Sequence, residues 1–91
     1  MNEIIEFIVA SGNKPVSSYK LTELFGVSGV CIRRIVNAAR CSGYPICSCR
    51  KGYYYSTTNE DVQYTIDSLK SRIESIQGAI NGLEKYLVGG P

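Results

Sequence analysis

The sequence predicts a mainly α-helical chain with one small β-hairpin, ordered as three short helices, the hairpin and a long C-terminal helix. Three observations carry that reading. Residues 19–42 hold two apolar-patterned segments joined by Gly26-Val27-Ser28. Residues 44–56 hold two short strand-like runs around Arg50-Lys51-Gly52. From Val62 to Leu87 the apolar residues recur at a 4-3-4-3-4-3-4 spacing.

Each element follows from local chemistry. Across Asn2 to Ser11, Ile4, Ile5, Ile8 and Val9 fall at helical spacing with Glu3 and Glu6 outside, and Gly12-Asn13 ends the helix as a C-cap pair does. Lys14-Pro15-Val16 is extended, because proline disfavours helix in the residue before it. Ser17 or Ser18 caps a second helix, Tyr19 to Phe25, with Leu21, Leu24 and Phe25 expected inward. Ser28 then caps a third, from Gly29 to Ser42. After Gly43 the runs Tyr44 to Cys49 and Tyr53 to Ser56 form a hairpin with a cationic tip. Alternate rings of Tyr53, Tyr54 and Tyr55 must face opposite sides, so either Tyr54 or the pair Tyr53 and Tyr55 packs on the core.

The third helix divides by angle. At about 100° per residue, Ile32, Ile35, Val36 and Ala39 share one face, and Val30, Arg33, Arg34, Asn37 and Cys41 the opposite one. Those exposed residue types suit a major groove. Arginine pairs bidentately with guanine, asparagine with adenine, and valine meets a thymine methyl. The competing reading is a solvated face that happens to hold two arginines.

In the last helix Val62, Ile66, Leu69, Ile73, Ile76, Ile80, Leu83 and Leu87 fill four heptads of a and d positions, a coiled-coil seam. Thr57, Thr58 or Asn59 caps its start, with Glu60 and Asp61 in the favourable first turn. Isoleucine at a with Leu69 and Leu83 at d favours two parallel strands, while Ile76 at d leaves higher orders open. Lys70, Arg72 and Glu84 at the flanking positions specify orientation weakly. The organisation expected is a head, residues 1–56, and an oligomerisation helix, residues 57–91.

Bulk properties narrow the function. The chain has 91 residues, enough for one small domain and an appended element. Residues 1–58 carry seven basic side chains against three acidic, a net +4, and residues 59–91 three against five, a net −2. A polyanion is therefore expected to meet the front half only. No apolar run is long enough to span a bilayer and the first residues hold acids, so a cytoplasmic protein is expected, away from membranes. Its four cysteines (Cys31, Cys41, Cys47, Cys49) are then reduced thiols, and without histidine or a Cys-x-x-Cys pair no metal site is expected. With no histidine, no phosphate-binding glycine loop and no paired acids in one predicted cleft, neither an enzyme nor a cofactor or small-molecule ligand is expected.

Leu21-Thr22-Glu23-Leu24-Phe25-Gly26-Val27-Ser28, then Ile32, Ser42-Gly43-Tyr44 and Lys51-Gly52-Tyr53 resemble the winged helix-turn-helix at the N-terminus of biotin operon repressors and related small bacterial and phage regulators. The likeness covers most of residues 4–56 and brings no biotin chemistry with it. It implies a winged helix-turn-helix followed by a coiled coil, with the helix after Ser28 as recognition helix and the tip at Arg50-Lys51-Gly52 against phosphate or minor groove. Gly29 departs from it, standing where such helices often hold a polar base-reader. The function expected is a dimeric, sequence-specific regulator reading an inverted repeat in double-stranded DNA. Its contacts would come from Lys20, Ser28, Val30, Arg33, Arg34, Asn37, Arg50, Lys51 and Tyr53, and its homodimer from the heptad stripe. The alternative is a phage-type assembly, packaging or replication accessory protein that uses head and helix as interaction modules.

Overall fold

In the computed structural model, which describes residues 2–89, the order is α1 (Glu3–Ala10), α2 (Ser18–Phe25), α3 (Gly29–Cys41), β1 (Ile46–Cys49), β2 (Gly52–Tyr55) and α4 (Asn59–Leu87). Met1 and Gly90-Pro91, the ends of the two expected regions, lie outside the described residues. Each helix starts on a side-chain cap that accepts an otherwise unpaired backbone N–H. Asn2 serves α1, Ser17 α2, Ser28 α3 and Thr58 α4. Gly26 ends α2 in the left-handed region at φ 65°, which lets the chain turn at once into Val27-Ser28.

The core is one cluster: Ile4, Ile5 and Ile8 of α1, Val16, Leu21 of α2, Ile32, Val36 and Ala39 of α3, and Ile46 of β1. Phe7 and Phe25 meet edge to face beside it, with ring centroids 6.0 Å apart. Leu24 corrects one expectation, since it is 54% exposed. α2 has only two turns and offers the core Leu21 and one side of Phe25, so Leu24 falls on the outer face.

β1 and β2 pair antiparallel, Ile46 opposite Tyr55 and Cys49 opposite Gly52, which leaves Arg50 and Lys51 as a two-residue loop. Val16 adds a bridge to the free edge of β2: its N–H donates to the Tyr53 carbonyl at 2.7 Å and its carbonyl accepts from the Tyr53 N–H at 2.9 Å. Tyr53 and Tyr55 pack on the core, which decides between the two alternating patterns open in the sequence. Tyr54 turns the other way, toward Asp61.

α4 seats only its first turns on the hairpin. Thr65 is buried there, and its Oγ1 accepts from the Ser48 N–H at 3.4 Å. Val62 and Leu69 are half-buried, so the packed body takes in the start of α4. From Lys70 to Gly89 every residue is exposed and the helix projects. The radius of gyration is 16.2 Å, against about 12 Å for a compact chain of this length.

Candidate nucleic-acid interface

A cleft of about 660 Å³ opens where α3, the hairpin tip and the start of α4 converge. α3 brings Arg33, Val36, Asn37 and Arg40. The hairpin brings Ser48 to Tyr53, with Arg50 and Lys51 at its tip. Tyr64, Ser68, Leu69 and Arg72 come from α4, and Ser17 and Ser18 close the end beside α2. Five of these side chains are cationic and none is acidic. Like charges gathered without counter-charge repel one another, and a cleft focuses their field outward, so the arrangement attracts an anion.

The backbone explains why these residues meet. Ser28 caps α3 through its Oγ, which accepts from the Cys31 N–H at 3.1 Å. Ile32, Val36 and Ala39 are then held in the core, and the helical period carries Arg33 and Asn37 to the open side. Arg33 lies back along the helix over Gly29, its Nη1 3.7 Å from where a β-carbon would stand there. The glycine position thus carries an arginine head in place of a side chain of its own. On the hairpin, Gly52 has φ 139°, and a β-carbon there would collide with the Val16 carbonyl. The absent side chain, with the paired Val16 and Tyr53 hydrogen bonds, lets the hairpin lie against the segment leading into α2.

Arg40 is the most constrained of the cations. Its Nε donates to the Ile46 carbonyl at 2.7 Å, and its guanidinium lies over the Tyr53 ring, 5.9 Å from the centroid. Nη2 is buried with no hydrogen-bond partner among the described residues. Burial lowers the guanidinium's proton affinity from its ordinary value, Tyr53 and Cys47 oppose that, and the charge of Arg72 adds to the lowering. The group stays charged at neutral pH all the same.

Of the residues singled out in the sequence, Arg33, Asn37, Arg50, Lys51 and Tyr53 share this cleft. Val30 and Arg34 are exposed on α3 beside it, and Lys20 is exposed on α2; none of the three lines the cleft. Ser28 is exposed, with its hydroxyl engaged in the α3 cap. Arg40, Tyr64 and Arg72 were not singled out. Arg40 had a legible signal, since it stands seven residues from Arg33 and three from Asn37 on a helix of period about 3.6. Tyr64 and Arg72 had none, because their place depends on how α4 seats against β1. In the stripe, Ile73 is 64% exposed and Leu83 70% exposed. Ile66, Ile76, Ile80 and Leu87 are exposed with them.

Among the described residues no helix is long and apolar enough to cross a membrane, and no group of three or more metal-ligating side chains comes together. Comparison with protein families, with curated proteins and with solved structures gives no match for this chain.

Proposed function

We propose that this chain is a sequence-specific double-stranded DNA-binding protein, a winged helix-turn-helix that works as a homodimer through α4 and regulates transcription in the manner of small phage or bacterial regulators. One observation carries the reading: Arg33 and Asn37 of α3 share an acid-free cleft with Arg50 and Lys51 of the hairpin tip. An assembly module has no need to gather the exposed face of one helix and a distant hairpin tip into one cationic surface. A DNA reader does, because the helix enters the major groove while the tip reaches the flanking backbone or minor groove.

In this reading Arg33 and Asn37 contact base edges, Val30 a thymine methyl, and Arg34 a base or the phosphate next to it. Arg50 and Lys51 supply charge to the backbone, and Lys20 and Ser28 flank the groove. The projecting stripe from Ile73 to Leu87 would be covered by the same helix of a second copy, which sets two heads on one face of the duplex. Half-sites should then stand about 10–11 base pairs apart or a multiple of that.

The test is a selection of bound sequences from random duplex DNA, followed by affinity measurements on the Arg33→Ala, Arg34→Ala double variant. An inverted repeat is expected, and the double variant should lose at least about 1–3 kcal/mol on it. Equal binding by parent and variant would remove α3 from the reading surface. A trimer or tetramer in solution, with no sequence selected, would favour an assembly role.

A further inference from the structure

The cleft has a third wall that neither the recognition helix nor the hairpin accounts for. Arg72 stands on α4, in the turn after Leu69, and faces the same space as Arg33 and Arg40. Its position is built: buried Thr65, seven residues or about two helical turns earlier, is tied to the Ser48 backbone and fixes the rotation of α4 on β1. Across the cleft Arg40 is anchored at Nε, leaving Nη2 buried and unpaired among the described residues. Two guanidinium groups are thus brought near one another with no carboxylate between them. That arrangement costs free energy in the unliganded protein, through like-charge repulsion and an unsatisfied donor. A phosphate in the cleft removes the first of these costs, because its charge screens the pair and its oxygens accept from guanidinium N–H groups that line the cleft.

We infer that Arg40 and Arg72 grip one phosphate of the nucleic-acid backbone, so that the first half of α4 belongs to the nucleic-acid surface as well as leading into the apolar stripe. This rests on the DNA reading above and adds a residue pair to it. It also ties the two halves of the chain mechanically. The helix that joins the copies is itself held to the DNA backbone, which constrains the angle at which each head meets its half-site.

The test uses the full chain and its selected duplex, comparing the parent with Arg72→Gln, Arg72→Lys and Lys85→Gln. Lys85, exposed in the last turn of α4, is a charge-matched control remote from the cleft. Affinity is measured across a salt series, with the oligomeric state of each variant read by sedimentation. Arg72→Gln should bind about tenfold more weakly at low salt. Its plot of log affinity against log salt should be shallower by about 0.9, the release of one counterion fewer. Arg72→Lys should recover the slope and part of the affinity, and Lys85→Gln should match the parent. If Arg72→Gln behaves as Lys85→Gln does while the Arg33→Ala, Arg34→Ala variant fails to bind, the inference is wrong and the DNA reading stands. Affinity lost together with the oligomer would assign Arg72 to the helix interface and overturn the inference too. A parent that binds no duplex at low salt overturns both. In that event a melting-temperature gain in inorganic phosphate, abolished by Arg72→Gln, would reassign the cleft to a small phosphate ligand.

Discussion

Gly52 is the residue on which the hairpin's placement depends. It sits at φ 139°, where side chains other than hydrogen are strained, and a β-carbon would strike the Val16 backbone. Gly52→Ala is therefore expected to destabilise the chain by about 1–3 kcal/mol from backbone strain alone, and by more once Val16 is displaced. Urea unfolding followed by circular dichroism measures it, and an unchanged midpoint would mean that the tip is free to relax. Asp61 makes a second case. Its carboxylate accepts from the Ser56 hydroxyl at 2.7 Å, and its own N–H donates to the capping Thr58 at 3.3 Å. The Ser56 hydrogen bond, then that of Thr58, holds its pKa below the ordinary value. A carboxyl whose pKa is depressed on folding adds stability above its unfolded pKa and loses it as pH falls through the folded value. Melting temperature should thus decline as pH drops below about 4, and Asp61→Asn should flatten that part of the profile. A parallel decline in the variant would place the acid sensitivity elsewhere.

The hairpin carries its charge on the shortest possible connection. Cys49 pairs with Gly52, so Arg50 and Lys51 alone make the loop, and both are exposed. Such a tip contributes charge without sequence information. Replacing both residues with alanine should leave the preferred sequence unchanged and reduce the salt dependence of binding by roughly one to two released counterions. A salt slope equal to the parent's would detach the tip from the DNA. α3 is built the opposite way, with Ile32, Val36 and Ala39 locked in the core while Arg33 and Asn37 stay exposed. Truncating Ile32, which has no exposed surface, should cost about 2–5 kcal/mol. The loss would fall on the whole head, since all three short helices meet there.

On the scale of the whole molecule, the back half of α4 has no partner within its own chain. Ile73, Ile76, Ile80, Leu83 and Leu87 are exposed on a helix that has already left the packed body. Covering them with a second helix is the simplest relief. Making Ile73 and Ile76 polar takes four apolar side chains out of a two-chain seam, about 6–12 kcal/mol at 1.5–3 kcal/mol each. A micromolar dimer is held together by about 8 kcal/mol, so the loss is large enough to separate the copies. If α4 joins two DNA-binding heads as proposed, the variant should sediment as a folded monomer and bind the selected duplex about 10²–10⁴-fold more weakly, as the tethering is lost. A parent that is monomeric at micromolar concentration would remove the dimer and the inverted repeat with it.

Where helices start, which faces of α1 and α3 fill the core and where the hairpin turns were legible in the sequence, because caps, periodicity and turn residues act over a few positions. Val16 and Ile46, by contrast, joined the core through tertiary contacts. Ser17, Ser28 and Thr58 cap where serine and threonine stand before apolar periods, and Arg33 and Asn37 lie opposite Ile32 and Val36 as the helical angle requires. Leu24 was misjudged because a two-turn helix does not itself say how wide its buried stripe is. The arrival of Arg72 and Tyr64 in the cleft beside α3 was decided only in three dimensions. It depends on the rotation of α4, set by the contact between Thr65 and Ser48, and on the close approach of Gly52 to Val16. Those contacts join residues 17 and 36 positions apart, a separation that no local pattern in the chain records.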